Sequence, residues 1–155
     1  MFEELNALFV ENGVRTVAVE NDRLTVAELE KLTERLPETE FNTTSALSLA
    51  IEALREVKTA YEINKIKQAQ AIAEKAFEHI LSFIRPGVTE KEIGLELDYY
   101  MLSHGAEALS FEPIAVSGVN ASMPHGVPSD KRTEKGDFIT MDFGAVVDGY
   151  HSDMT

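Results

Sequence analysis

The stretch that decides the fold is residues 137–155, Asp-Phe-Ile-Thr-Met-Asp-Phe-Gly-Ala-Val-Val-Asp-Gly-Tyr-His-Ser-Asp-Met-Thr. Residues 138–147 carry the strongest strand pattern in the chain, and six of these ten residues are β-branched or aromatic. The dipeptide Asp148-Gly149 tolerates the positive φ angles of a two-residue turn and therefore predicts a β-hairpin. In that hairpin Val147 pairs with Tyr150, and each further pair lies one residue outward on both strands.

Two carboxylates fall on one face of this predicted hairpin. The register places Gly144 opposite Asp153 and Asp142 opposite Thr155, so the two aspartates are diagonal neighbours, with Cβ atoms ~7–8 Å apart. Such a pair can converge on one cation or on two cations ~3.5–4 Å apart, and Gly144 leaves space beside them. On these two residues alone, a metal site and a solvent-exposed edge pair are equally consistent with the pattern.

Two histidines lie near this feature or in a constrained loop. A single histidine in a loop rich in Pro and Gly is more often a surface residue than a catalytic one. His125 nevertheless stands between Pro124 and Gly126, which restrict the backbone around it, and this keeps it as a candidate site residue. His151 shares the face of the two aspartates in the predicted register, so hairpin geometry alone also allows it as a metal ligand.

The first 50 residues alternate between helical and strand patterns. A helix ends at Asn12-Gly13, residues 14–19 form a short strand, and residues 41–44 form a second one. Between the strands, Thr25 and Glu28 form a capping box that opens another helix.

The middle of the chain is helical and then turns to strands and loops. Apolar residues at three- and four-residue steps predict one long helix over residues 57–84, and a capping box of Thr89 with Glu92 opens the next. Residues 114–117 predict a strand. Residues 117–128 are too rich in Gly, Pro, Ser and Asn for regular structure.

The charge and the cysteine content of the chain exclude several classes of partner and metal site. The 155 residues include 14 Lys and Arg against 27 Asp and Glu, a net charge of -13, which argues against nucleic acid and anionic membrane surfaces as partners. No apolar run approaches the ~20 residues of a membrane span. The chain has no cysteine, so a metal site must use carboxylates and some of the four histidines. We expect a cytoplasmic protein.

Four segments together resemble the proline-specific pita-bread metallopeptidases, namely the Xaa-Pro aminopeptidases and Xaa-Pro dipeptidases (prolidases). The segments are Ser-Gly-Val-Asn-Ala-Ser-Met-Pro-His-Gly at 117–126, Glu-Lys-Gly-Asp at 134–137, Met-Asp-Phe-Gly-Ala at 141–145 and Gly-Tyr-His-Ser-Asp-Met-Thr at 149–155. Residues 54–63 and 84–90 resemble the entry to the catalytic domain and the turn after its first long helix. The resemblance implies an α/β (α+β) chain in two parts. Residues 1–52 would be the end of a creatinase-like N-terminal domain, and 53–155 the N-terminal half of a pita-bread domain.

The same resemblance implies a site and a reaction. Asp142 would be the first ligand of a centre with two divalent metal ions (Mn, Co or Zn), Asp153 would bridge both ions, and His125 would hydrogen-bond the substrate outside the metal shell. The reaction would be hydrolysis, by a metal-bound hydroxide, of the bond before a proline at the second position of a peptide. The complete enzyme would be a homodimer.

The pattern departs from the family in one respect. Three further ligands of the family, a His and two Glu from the C-terminal half of the domain, have no matching positions here. We therefore expect weak metal binding and little or no peptidase activity from this chain alone. Two alternatives stay open: a non-catalytic binding or assembly module that keeps half of the fold, and another pita-bread enzyme, creatinase or methionine aminopeptidase. The segment 117–126 favours the proline-specific branch.

Overall fold

The structure, a computed structural model, describes residues 2–155 and divides into two units, Met1–Val57 and Lys58–Thr155. The first unit alternates three helices with two short strands that pair in parallel, Thr16 with Glu40 and Ala18 with Asn42. In chain order its elements are α1 (Phe2–Glu11), β1 (Thr16–Ala18), α2 (Val26–Arg35), β2 (Glu40–Asn42) and α3 (Ala46–Glu56).

The predicted elements of this unit are present and one helix is added, but the strands are shorter than predicted, covering 16–18 and 40–42 instead of 14–19 and 41–44. The turn after α1 contains Gly13 with a φ of 65°, the left-handed conformation that ends a helix. Thr25 and Glu28 form both hydrogen bonds of the predicted capping box. The added element is the helix α3, which was not predicted, although residues 46–56 consist mostly of the strong helix formers Ala, Leu, Glu and Arg.

The second unit packs two long helices against short antiparallel strands. In chain order its elements are α4 (Ala60–Phe83), α5 (Glu90–Ser103), β3 (Ala108–Leu109), β4 (Ile114–Ser117), a 3-10 turn (Gly118–Ser122), β5 (Ile139–Asp142), β6 (Ala145–Val147) and β7 (Tyr150–His151). β4 pairs with β5, and β3, β6 and β7 form a three-stranded sheet with β6 in the middle. The predicted strand at 114–117 is confirmed residue for residue.

Local sequence signals explain where the two helices begin. Thr59 with Glu62 and Thr89 with Glu92 each form a complete capping box, so α4 starts at residue 60 rather than at 57 as predicted. The helices bury one face each in a common core with the strands. Fully buried members of this core are Ala73, Ala76, Ile80, Ile93, Leu97, Met101 and Ala115.

The predicted continuous strand over residues 138–147 is interrupted. β5 ends at Asp142 and pairs with β4, whereas β6 starts at Ala145 and pairs with β3 and β7. The chain therefore passes from one sheet to the other at Phe143 and Gly144. No helix described within residues 2–155 combines the length and apolarity that a bilayer crossing requires.

Candidate active site

The turn between β6 and β7 has the geometry that the sequence predicts. Asp148 and Gly149 have φ angles of 54° and 75°, as a two-residue hairpin loop needs. Val147 pairs with Tyr150, which confirms the predicted register.

This register persists beyond the named strands, through the point where the chain changes sheets. Phe143 and Met154 exchange two backbone hydrogen bonds, each 3.1 Å long. Phe143 is 1% exposed and Met154 packs against the core, so this pair faces the protein interior. Asp142 and Asp153 flank the pair on either side, and the alternation of side chains turns them toward the other face of the hairpin.

The two aspartates differ in their surroundings. Oδ1 of Asp142 is buried and has no hydrogen-bond partner among the described residues, whereas the side chain of Asp153 is exposed. A buried polar atom left without a partner costs about 1–3 kcal/mol. A cation beside Asp142 would supply the missing partner, and hard carboxylate oxygens are suitable ligands for it. The residues present therefore fit part of a metal site.

The described residues do not complete such a site. Within residues 2–155, no three Asp, Glu or His side chains lie close enough together to hold a metal ion. His151 lies in β7 opposite Val146 and is exposed. Its position thus adds no third ligand to the two aspartates.

Gly144 has a different role from the one that the sequence suggested. We expected its missing side chain to leave space beside the carboxylates. Instead, a Cβ atom at this position would overlap the backbone carbonyl oxygen of Ser152. The glycine is needed because the backbones approach closely there, and Ser110 also donates its hydroxyl to the Ser152 carbonyl at 2.7 Å.

Side chains at the start of α4 hold the tip of the hairpin. The hydroxyl of Tyr61 donates to the Asp148 carboxylate, and Nζ of Lys65 lies 3.4 Å from the same group. The hydrogen bond from Tyr61, and then Lys65, lower the pKa of Asp148. Tyr150 donates its hydroxyl to Glu62 at 3.3 Å. No local sequence pattern predicts these contacts, because the residues that form them lie more than 80 positions apart.

The third predicted site residue, His125, lies in the irregular loop between β4 and β5, and its side chain is exposed. The backbone beside it is fixed by close packing. A Cβ atom on the buried Gly126 would lie 2.9 Å from a methyl group of Val116, so only glycine fits. Thr140 donates its hydroxyl to the carbonyl of Ala121 at 3.0 Å and ties the same loop to β5.

The part of this loop that carries His125, residues 117–129, is attached at both of its ends to one buried carboxylate that no sequence pattern predicted. Glu90, the first residue of α5, is 0% exposed. Its Oε1 accepts from the Ser117 amide at 2.7 Å, the Ser117 hydroxyl at 3.0 Å and the Asn120 side chain at 3.1 Å. Its Oε2 accepts from the Ser129 hydroxyl at 2.6 Å and the Ser129 amide at 3.1 Å.

These hydrogen bonds keep Glu90 ionised despite its burial. Burial alone raises the pKa of this carboxyl, but the donors of Ser129, Ser117 and Asn120 outweigh that effect and lower the pKa to about 2. In the sequence, Glu90 is one of two acids in the first turn of a helix. Nothing local distinguishes it from exposed Glu92, so only the folded loop reveals its function.

A cavity of about 600 Å³ in the second unit lies elsewhere. It is lined by Phe77, by residues 139–141 and by Phe143, Met154 and Thr155. Since its lining contains neither aspartate and no histidine, we assign no catalytic chemistry to it.

The chain is similar in sequence to known metallopeptidases. Residues 64–155 match the model of metallopeptidase family M24. The uncharacterized peptidase YqhT of Bacillus subtilis is 48% identical over 106 residues, which is 68% of this chain and 30% of that protein. The Xaa-Pro dipeptidase of Pyrococcus furiosus is 42% identical over 105 residues, again 68% of this chain and 30% of that protein.

Solved structures extend the similarity to nearly the whole chain. The Xaa-Pro dipeptidase from Bacillus anthracis superposes with a TM-score of 0.91 at 45% identity, covering 98% of this chain and 42% of that one. The X-Pro aminopeptidase from Thermotoga maritima superposes with a TM-score of 0.89 at 36% identity, also over 98% of this chain and 42% of that one. The chain thus spans 30% to 42% of the length of these relatives. The family match covers more than half of the chain, and it includes the hairpin, the His125 loop and most of α4: the chain belongs to metallopeptidase family M24.

Proposed function

We propose that this chain supplies the first two metal ligands and a substrate-contacting loop of a metal-dependent exopeptidase that hydrolyses the bond before a proline at the second position of a peptide. The observation that carries the proposal is the buried, unpartnered Oδ1 of Asp142 on a hairpin whose register continues to Asp153. A buried carboxylate oxygen without a hydrogen-bond partner destabilises the folded protein, but the same oxygen is a suitable ligand for a cation.

Each residue has a defined role in this proposal. Asp142 and Asp153 would hold divalent ions of the Mn, Co or Zn type. Divalent ions, when bound, polarise a scissile carbonyl and lower the pKa of water. His125 donates or accepts a hydrogen bond at the peptide substrate, because its loop leaves the imidazole exposed while the backbone is held by Gly126 and Ala121.

The substrate class rests on relatives and on one sequence segment. Two relatives are named for Xaa-Pro dipeptides and a third for X-Pro peptides. The segment 117–126, which carries His125, resembles the proline-specific enzymes rather than creatinase or methionine aminopeptidase.

Taken alone, this chain should bind metal weakly and cleave little or no peptide. Two carboxylates leave most coordination positions of two ions to water, and the described residues bring no third acidic or imidazole ligand to them. The same observation favours the alternative of a non-catalytic module that uses the half-domain for binding or assembly.

Calorimetric titration with Mn²⁺ tests the metal ligands directly. We expect weak binding by the unaltered chain that is lost in Asp142→Ala and retained in Asp130→Ala, since the Asp130 side chain is 86% exposed and pairs with Lys91 at the surface. Equal Mn²⁺ binding by the unaltered chain and Asp142→Ala would contradict the assignment of Asp142.

Completion of the domain tests the reaction. This chain can be joined to the C-terminal part of the Bacillus anthracis dipeptidase, the part beyond the region that superposes here. The chimera should hydrolyse an Xaa-Pro dipeptide in the presence of Mn²⁺, and Asp142→Ala should abolish the hydrolysis. A chimera that folds and binds Mn²⁺ but cleaves no Xaa-Pro substrate would favour the non-catalytic module.

A further inference from the structure

One buried ionised side chain has no part in the proposed chemistry, yet it contacts the loop of His125 at both ends. Glu90 spans a gap that the chain itself bridges with more than ten residues, from Ser117 to Ser129. Each carboxylate oxygen binds a different end of the loop. Oε1 accepts hydrogen bonds from Ser117 and Asn120, and Oε2 accepts hydrogen bonds from the amide and the hydroxyl of Ser129. The entry and exit of the loop are therefore fixed to the first turn of α5.

The network extends from Glu90 to a partly buried ion pair. Nζ of Lys131 lies 3.0 Å from the Ser117 hydroxyl and 2.9 Å from Oδ2 of Asp137. The same carboxylate of Asp137 accepts from the Glu134 amide at 3.0 Å. A continuous chain of hydrogen bonds thus links α5, the start of the loop and the segment that leads into β5.

The chemistry of the contacts requires a carboxylate at this position. All five short contacts to Glu90 come from groups that can donate: two backbone N–H groups, two hydroxyls and one amide NH2. A glutamine has one acceptor oxygen and one NH2 group, so its NH2 would face the N–H of either Ser117 or Ser129. A buried donor that faces another donor is left unsatisfied, and the loop end on that side would be released.

We infer that Glu90 is a positioning residue, which holds the loop 117–129 so that His125 is presented at a fixed place relative to β5. The inference rests on the proposed function for its catalytic meaning, since it assumes that His125 contacts the substrate. The geometric part, that Glu90 orders the loop, stands independently of metal and substrate. The low pKa of Glu90, about 2, agrees with this role, because the carboxylate stays ionised and keeps accepting these hydrogen bonds at neutral pH.

The test compares Glu90→Gln with Glu92→Gln in this chain, without metal. Glu92 lies in the same helical turn, but its contacts are the capping box of Thr89, which glutamine also satisfies. Amide hydrogen exchange and the imidazole ¹H–¹³C signal of His125 are measured by NMR. In Glu90→Gln, we expect the amides of Ser117, Gly126 and Ser129 to exchange about tenfold faster or more, the effect of losing one hydrogen bond to a charged group.

The amides of α4, and those of α5 beyond its first turn, serve as the internal reference. The amides of Glu90 and Lys91 are left out because they donate to the carbonyls of Lys131 and Ser129. In Glu90→Gln the reference amides should keep their exchange rates while the His125 signal shifts or broadens, and in Glu92→Gln neither set should change. A folded Glu90→Gln chain with unaltered loop exchange and an unaltered His125 signal would overturn the inference.

Ser129→Ala provides a second variant if Glu90→Gln does not fold. It removes the 2.6 Å hydroxyl contact and leaves the other four. Faster exchange confined to the loop supports the inference, and wild-type exchange overturns it. Failure of the proposed function is separate, because it would show as absent Mn²⁺ binding in the unaltered chain, whereas these measurements contain no metal.

Discussion

The missing side chain of Gly144 determines how closely the two arms of the Asp142–Asp153 hairpin approach. We expect Gly144→Ala to lower the free energy of unfolding by about 1–3 kcal/mol, the usual cost of overpacking, because the new methyl group overlaps the Ser152 carbonyl. Urea unfolding followed by circular dichroism measures the change.

Gly94 offers a matched control within α5. A Cβ atom there meets only ordinary contacts, 3.7 Å from Pro128 and 3.9 Å from Ala115. Gly94→Ala should be neutral or stabilising by up to roughly 1 kcal/mol, because alanine has a higher helix propensity than glycine in a helix interior. Equal effects of the two substitutions would show that the hairpin backbone can separate without penalty.

Asp98 on α5 makes stability depend on pH. Its Oδ1 is buried without a partner among the described residues, and burial raises the pKa of this carboxyl from 3.8 to about 6. Between pH 4 and 6 the unfolded chain loses this proton while the folded chain keeps it, so the free energy of unfolding falls as the pH rises. Asp98→Asn should therefore stabilise the protein on the order of 2 kcal/mol more at pH 7 than at pH 4.

Urea unfolding at both pH values measures this difference, with Asp130→Asn as the control. The exposed pair of Asp130 with Lys91 contributes roughly 0–1 kcal/mol, so its removal should change little. A stabilisation by Asp98→Asn that is the same at pH 4 and pH 7 would contradict the burial effect.

Among the elements, α4 and the hairpin are joined at the tip by the Tyr61–Asp148 hydrogen bond. We expect Tyr61→Phe to lower the free energy of unfolding by about 1 kcal/mol, since the bond is partly exposed to solvent. The amide of Gly149 should also exchange faster with solvent, because the turn loses one of its contacts with α4. Tyr99→Phe on α5, where the tyrosine is 71% exposed, is the control and should change neither quantity.

The sequence predicted elements where the determining contacts are local. Capping boxes located the starts of α2 and α5, and Asp148-Gly149 set the register on which the aspartate pair depends. Features that depend on distant residues were missed. The strand is interrupted at Phe143 because β5 pairs with β4, whereas β6 pairs with β3 and β7. Glu90 becomes buried only when residues 117–129 fold over it.

For the whole molecule, the two units should differ in stability. Within residues 2–57, Leu36 is the one buried hydrophobic residue, whereas residues 58–155 contain the main core. A 57-residue unit with so little buried apolar surface is marginal by itself. We expect the amides of α4 and α5 to exchange far more slowly than those of α1 to α3. Equal protection in both units, measured by native-state hydrogen exchange, would show that the whole chain unfolds in one step.

The network of Glu90 also bears on the order in which the candidate site assembles during folding. Asp142 and Asp153 are eleven residues apart in the chain, whereas Glu90 meets Ser117 and Ser129 across 27 and 39 residues. Short chain closures are faster than long ones, so the aspartate pair should form before the histidine loop is fixed. In stopped-flow experiments, Gly144→Ala should mainly slow folding and Ser129→Ala should mainly speed unfolding. The aspartate hairpin of the candidate site would then be an early folding nucleus, and the histidine loop would be a late addition to it.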